Sequence, residues 1–195
     1  MTFGDIILII LVFLWELVVL WFGIFAAPLL YLDLLWIIIP IYLTWIFTDF
    51  FQERRGTSLG NAITNGAVVL WVCVDWLRQT VTLWGGFSVV IFAKFGLLLV
   101  FFLYGMFIII EGIKGRDFVT KFGRVRESAY IMLAFTPIMY GVVELTWMML
   151  LSIIVGFPVF YYAFEMVDRQ IGKWSVIQRV EEEEDTEEKI RLGAR

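Results

Sequence analysis

Three ionisable side chains lie inside long apolar runs: Glu16, Asp75 and Lys94. A charge at mid-bilayer costs at least ~2.5–3.5 kcal/mol on insertion scales, so such residues usually face protein or water and mark ion pairs, proton relays or substrate paths. The carboxylates could bind a cation or carry a proton, and the Lys94 ammonium could compete for them as charge moves. Asn61, Asn65, Asp75 and Gln79 recur at i, i+4, i+14 and i+18, with Thr57 and Thr64 beside them. At ~100° per residue the four fall on one strip of a helix about 80° wide. Lipid offers such side chains nothing to bond, so the strip must meet other helices, water or both.

The residue types exclude much other chemistry. The chain has no His and one Cys, Cys73. That removes Cys/His zinc sites, every triad or dyad built on imidazole, and any intramolecular disulfide. Cys73 sits in an apolar stretch and reads as a small buried hydrophobe. No nucleotide loop, metal-ligand cluster or Gly-x-Gly-Asp aspartate pair occurs, so neither catalysis nor a cofactor nor a metal is expected. Arg54-Arg55-Gly56-Thr57-Ser58 precedes the polar strip. Thr57 or Ser58 suits a helix N-cap, and two Arg beside free amides could hold a phosphate or lipid headgroup.

The elements that position these residues are membrane spans. The chain is 61% hydrophobic with a mean hydropathy of +0.87, whereas a soluble domain is ~45–50% apolar. A span needs ~20 mostly apolar residues. Six segments answer to that: Ile6–Ala26, Leu30–Phe47, Leu59–Val81, Phe87–Ile110, Ala129–Val143 and Leu145–Phe164, with Pro40 and Pro137 inside the second and fifth. The expected fold is all-α, a polytopic transmembrane helix bundle of about six spans, or five if residues 129–164 hold one tilted span and a re-entrant piece. No basic stretch precedes the first run, so it reads as a retained span and not a cleaved signal peptide. Residues 1–167 are expected to form the bundle. Residues 168–195 form a cytoplasmic tail, partly disordered because the acids from Glu181 to Glu188 repel one another.

The basic residues set the orientation, because cytoplasmic loops carry the excess of Lys and Arg. With the N-terminus inside, Arg54 and Arg55 fall in one cytoplasmic loop. Lys114, Arg116, Lys121, Arg124 and Arg126 fall in the next, residues 111–128. The tail holds Arg169, Lys173, Arg179, Lys189, Arg191 and Arg195, and Arg78 alone lies in an outer loop. This predicts a multi-pass protein of the cell membrane with both termini cytoplasmic. Phe118, Phe122 and Val125 recur at i, i+4 and i+7 among the basic residues of the 111–128 loop. Such a face can lie on the inner leaflet, so Arg54, Arg55, Lys114, Arg116, Lys121, Arg124 and Arg126 are candidate contacts for anionic lipid headgroups. Nothing points to nucleic acid. Glu16 shares a helix side with Gly23 and Ala27, small residues that permit close approach, so this face is expected to pack against protein. Asp75 and Lys94 reach similar depth on neighbouring spans, which predicts an ion pair between them, shared with Glu16.

From Glu111 onward, Gly112, Lys114-Gly115, Phe118, Ala129-Tyr130 and Pro137, followed by two closely spaced apolar segments, resemble the C-terminal half of the Yip family of polytopic membrane proteins. The resemblance covers residues 111–164. It implies a non-enzymatic membrane protein; eukaryotic members of that family are associated with vesicle trafficking and small GTPases, and members usually have five spans. Two functions fit the residues. One is a membrane-organising or protein-interaction role, with a homo-oligomer or another membrane protein as partner. The other is a small cation- or proton-coupled transporter or channel that uses Glu16, Asn61, Asn65, Asp75 and Lys94.

Overall fold

The computed structural model describes residues 2–49 and 57–171. Arg54, Arg55 and the acidic block lie outside the described residues. All regular structure among the described residues is helical. Helix α1 spans Phe3–Leu30, and a 3-10 turn at Leu32–Leu34 leads into α2, Leu35–Phe47. Then follow α3 (Leu59–Thr82), α4 (Val89–Ile113), the single turn α5 (Val119–Phe122), α6 (Val125–Met139) and α7 (Trp147–Ile171).

Three of these helices, α1, α4 and α7, are long and apolar enough to cross a membrane. Helix α3 has 24 residues, but its polar strip lowers its hydropathy. Helices α2 and α6 have 13 and 15 residues. At 1.5 Å per residue they rise only ~20 Å, short of a hydrocarbon core of ~30 Å.

Local chemistry starts and stops the helices. Thr2 and Asp5 form a capping box at α1. The Ser58 hydroxyl accepts from the Asn61 amide and caps α3, while Ser88 does the same for α4 through Ile91. These caps satisfy amides that the helix itself leaves open. Gly141, at φ +73°, ends α6 in the left-handed conformation that favours glycine.

Helix α6 is the hub. Thirteen of its fifteen residues are buried, and α1, α2 and α3 all pack on it. A helix so enclosed by protein does not depend on its own length to shield its backbone from lipid. Its polar groups are placed accordingly. Trp21 donates its indole N–H to the Tyr130 hydroxyl at 2.9 Å, and Tyr130 donates to the Ile153 carbonyl, so one tyrosine ties α6 to α1 and α7. Trp76 of α3 donates to Thr136 at 3.0 Å. Each aromatic body fills the core while its polar tip finds a partner.

Helices α3 and α4 form an antiparallel hairpin whose backbones touch. A Cβ added at Gly66 would lie 3.2 Å from the Gly105 carbonyl oxygen, and one at Gly105 would lie 3.1 Å from that of Gly66. Small residues permit this approach, and the gain is van der Waals contact along both helices.

The chain divides into two compact units, Met1–Phe157 and a second that begins at Pro158 within α7. The described part of the second is the remainder of that helix, where the rings of Phe160 and Phe164 lie 4.7 Å apart.

Candidate functional site

The polar strip of α3 meets α5 and α6. Asn65 is buried and its side-chain amide donates to the Gly123 carbonyl at 2.8 Å. Gly123 sits so close to α3 that an added Cβ would lie 2.8 Å from the Ala62 Cβ. Asn61, one turn earlier, is half-buried. At the other end of α3, Asp75 Oδ1 accepts from Arg78 Nη2 at 2.7 Å and Nε at 3.2 Å. Asp75 Oδ2 accepts from the Tyr140 hydroxyl at 2.7 Å. Both oxygens of Asp75 are thus engaged, and the strip stitches each end of α3 to the matching end of α6.

The expected Asp75–Lys94 pair does not form. Arg78 stands three residues after Asp75 on the same helix, a spacing that brings side chains together, and Tyr140 takes the other oxygen. Lys94 is buried at 8% exposure and its ammonium points at the Met139 carbonyl, 3.5 Å away. Met139 ends α6. The amides of Tyr140, Gly141, Val142 and Val143 all turn back to Thr136, Ile138 and Pro137. That leaves the Met139 carbonyl, at the negative end of the helix dipole, facing the cation. The bond is long, and dipole attraction and a single acceptor hold this charge in place of a carboxylate.

Glu16 joins neither group. It is exposed on α1 and makes no side-chain hydrogen bond or ion pair among the described residues. Gly23 has nothing within 4 Å of an added Cβ. Of the residues expected on the packed face, only Ala27 is buried. The reason is rotational: α1 seats itself through Leu17 and Ile24, which point elsewhere.

The basic loop splits in two. Lys114, Arg116 and Lys121 are exposed, with Phe118 and Phe122 exposed beside them. Lys114 and Arg116 share the Glu111 carboxylate at 2.6 and 3.0 Å. The expected helical face through Phe118, Phe122 and Val125 breaks, because α5 stops at Gly123 and Val125 is buried at the start of α6. Arg124 is half-buried and engaged. Arg126 is no headgroup contact. Its Nε lies 2.8 Å from both oxygens of Asp49, and the two side chains are 9% and 7% exposed. This buried pair joins the end of α2 to the start of α6 and was not foreseen. The available signal was that Asp49 closes the second apolar segment and Arg126 opens the fifth, on the same predicted side.

Comparison with protein families, with curated proteins and with solved structures finds no match for this chain.

Two hollows open among the helices, the second of them against α6. One, of about 1110 Å³, runs between α2 and α3 past Trp36, Pro40 and Trp71, with Asp33, Thr44 and Thr64 as its polar groups. The other, of about 550 Å³, is lined by Leu97, Ile131, Phe135 and Leu150, with Glu127 and Tyr130 beside them. Neither is lined by Asn61, Asn65, Asp75, Gln79 or Lys94. Among the described residues, no three His, Cys, Asp or Glu side chains stand together as metal ligands. What the arrangement can do chemically is hold helices together by charge-assisted hydrogen bonds and present a basic, aromatic turn on the surface.

Proposed function

We propose that this chain is an integral membrane protein that organises the membrane or binds partners in it, without catalysis or transport. The observation behind this reading is that the two central polar residues of the α3 strip, Asn65 and Asp75, are spent on protein. Asn65 bonds Gly123, and Asp75 is saturated by Arg78 and Tyr140. A conduction path would leave such groups free to exchange ions or water.

In this reading six helices, α1 to α4, α6 and α7, thread the bilayer, with both termini in the cytoplasm. The turn from Lys114 to Phe122 then lies at the inner leaflet. Phe118 and Phe122 enter the acyl boundary while Lys114, Arg116 and Lys121 meet anionic headgroups, a gain of ~1 kcal/mol per basic residue near the surface. The resemblance of residues 111–164 to the Yip family points the same way.

Flux of cations and protons into liposomes tests the reading, with wild-type protein and Asp75→Asn compared by entrapped dyes. The expected result is no flux from either. Flux in the wild type that Asp75→Asn abolishes would overturn it and make α3 a transport path. Cross-linking in native membranes should recover a constant partner or oligomer; random neighbours alone would count against an organising role.

A further inference from the structure

Helices α2 and α3 both pack on α6 and leave between them the open groove of about 1110 Å³. Its floor is the buried Ile37, Ile41 and Val72, and its rim is the exposed Trp36 and Trp71. On α3 the lining residues Thr64, Ala67, Val68, Trp71 and Val72 recur at i, i+3, i+4, i+7 and i+8, one face of a helix. At ~100° per residue Arg78 falls on that same face, between the directions of Ala67 and Trp71. Asp33 lines the groove where α2 begins. From Asp33 to Thr44 the chain rises roughly 16 Å at 1.5 Å per residue, about half of a ~30 Å hydrocarbon core, so the groove has the length of one leaflet.

The charges at the mouth select the occupant. Arg78 gives Nε and Nη2 to Asp75, yet its side chain stays 63% exposed. A guanidinium carries five N–H donors, so Arg78 keeps donors for a phosphate. Asp33 is exposed and has no partner among the described residues. One guanidinium thus stands against two carboxylates, Asp33 and Asp75, a balance that repels an anionic headgroup and suits one that ends in a cation. A zwitterion is matched in both signs, with its phosphate on Arg78 and its ammonium on Asp33. A primary ammonium can donate N–H bonds to the Asp33 carboxylate, whereas a trimethylated one cannot. The indoles of Trp36 and Trp71 also lack partners among the described residues, and both N–H groups are left for ester oxygens at the membrane interface.

We infer that the α2–α3 groove binds a phospholipid of the outer leaflet whose headgroup ends in a primary ammonium, as in phosphatidylethanolamine. An acyl chain lies along Ile37, Ile41, Ala67 and Val72. The phosphate accepts from Arg78, and the ammonium donates to Asp33. The inference rests on the membrane reading above, but not on what the bundle does there.

Native mass spectrometry of the full chain tests it. The protein is reconstituted into vesicles of equal parts phosphatidylethanolamine, phosphatidylcholine and phosphatidylglycerol with identical acyl chains, then released in mild detergent. The expected result is bound phosphatidylethanolamine at least about fivefold over each of the other two, the worth of one charge-assisted hydrogen bond. Asp33→Asn should abolish the preference for ethanolamine over choline. Ala67→Phe, at an exposed position in the groove, should remove the bound lipid altogether. Glu144→Gln, an exposed acid that does not line the groove, should change nothing. Equal retention of the three lipids, retention that Asp33→Asn and Ala67→Phe leave unaltered, or a second copy of the chain in place of lipid would overturn the site. Flotation of the same vesicles separates the two failures. A chain that does not float with them removes the membrane reading and the lipid site together; a chain that floats but retains the three lipids equally removes the lipid site alone.

Discussion

At the residue scale, the side chains that matter most for stability are charged groups withdrawn from solvent. Asp49 and Arg126 are 7% and 9% exposed and meet at 2.8 Å. Removing one partner leaves the other charge buried, so Asp49→Ala should cost about 3–5 kcal/mol, whereas Asp49→Leu combined with Arg126→Met should recover most of the loss. Thermal unfolding in detergent would read this as a large drop in Tm for the single variant and a small one for the double. Lys94 differs in kind. It has one long bond to a carbonyl and no carboxylate, and methionine matches its volume without its charge. Lys94→Met should therefore stay within about 1 kcal/mol of wild type in the same assay, or stabilise the protein. Tyr140→Phe removes one charge-assisted bond to Asp75 and should cost about 1.5–3 kcal/mol.

At the element scale, the α3–α4 hairpin depends on glycines where backbones meet. A Cβ at Gly105 would lie 2.9 Å from Leu70 and 3.1 Å from the Gly66 carbonyl oxygen. A side chain such as valine there must push the helices apart, so Gly105→Val should destabilise by about 1–3 kcal/mol. Gly96, nine residues earlier on the same helix, has nothing within 4 Å of an added Cβ. Gly96→Ala should stabilise slightly, by up to about 1 kcal/mol, through helix propensity. Opposite shifts in Tm for these two variants would separate close packing from a general intolerance of change in α4. Equal losses would mean that the contact at Gly105 is not what holds the hairpin.

At the scale of the whole molecule, orientation decides which groups can meet. If the basic turn faces the cytoplasm, Lys121→Cys should react with an impermeant thiol reagent only from the inner side, and Gly85→Cys, between α3 and α4, only from the outer side. Both variants carry Cys73→Ala. The reverse pattern would invert the topology and remove the inner-leaflet role for Lys114, Arg116 and Lys121. With that orientation, replacing these three by glutamine should lower the amount of anionic lipid that co-purifies with the protein, while α6 and its buried contacts stay intact.

The helices were legible in the sequence because apolar run length and N-capping are local. Ser58 before α3 and the long apolar runs of α1, α4 and α7 needed no knowledge of neighbours. The polar strip of α3 was legible for the same reason, since helical periodicity puts Asn61, Asn65, Asp75 and Gln79 on one side. Which group each of them would bond was not. Asp75 took Arg78 and Tyr140 in place of Lys94; Lys94 took the Met139 carbonyl; Asp49 found Arg126, 77 residues away. Partner choice depends on which helix faces meet and how closely. That was set by the touching backbones at Gly66 and Gly105, by the seat of Gly123 on Ala62, and by the enclosure of α6 on several sides. Such contacts join residues far apart in the chain, so they are decided only when the bundle closes.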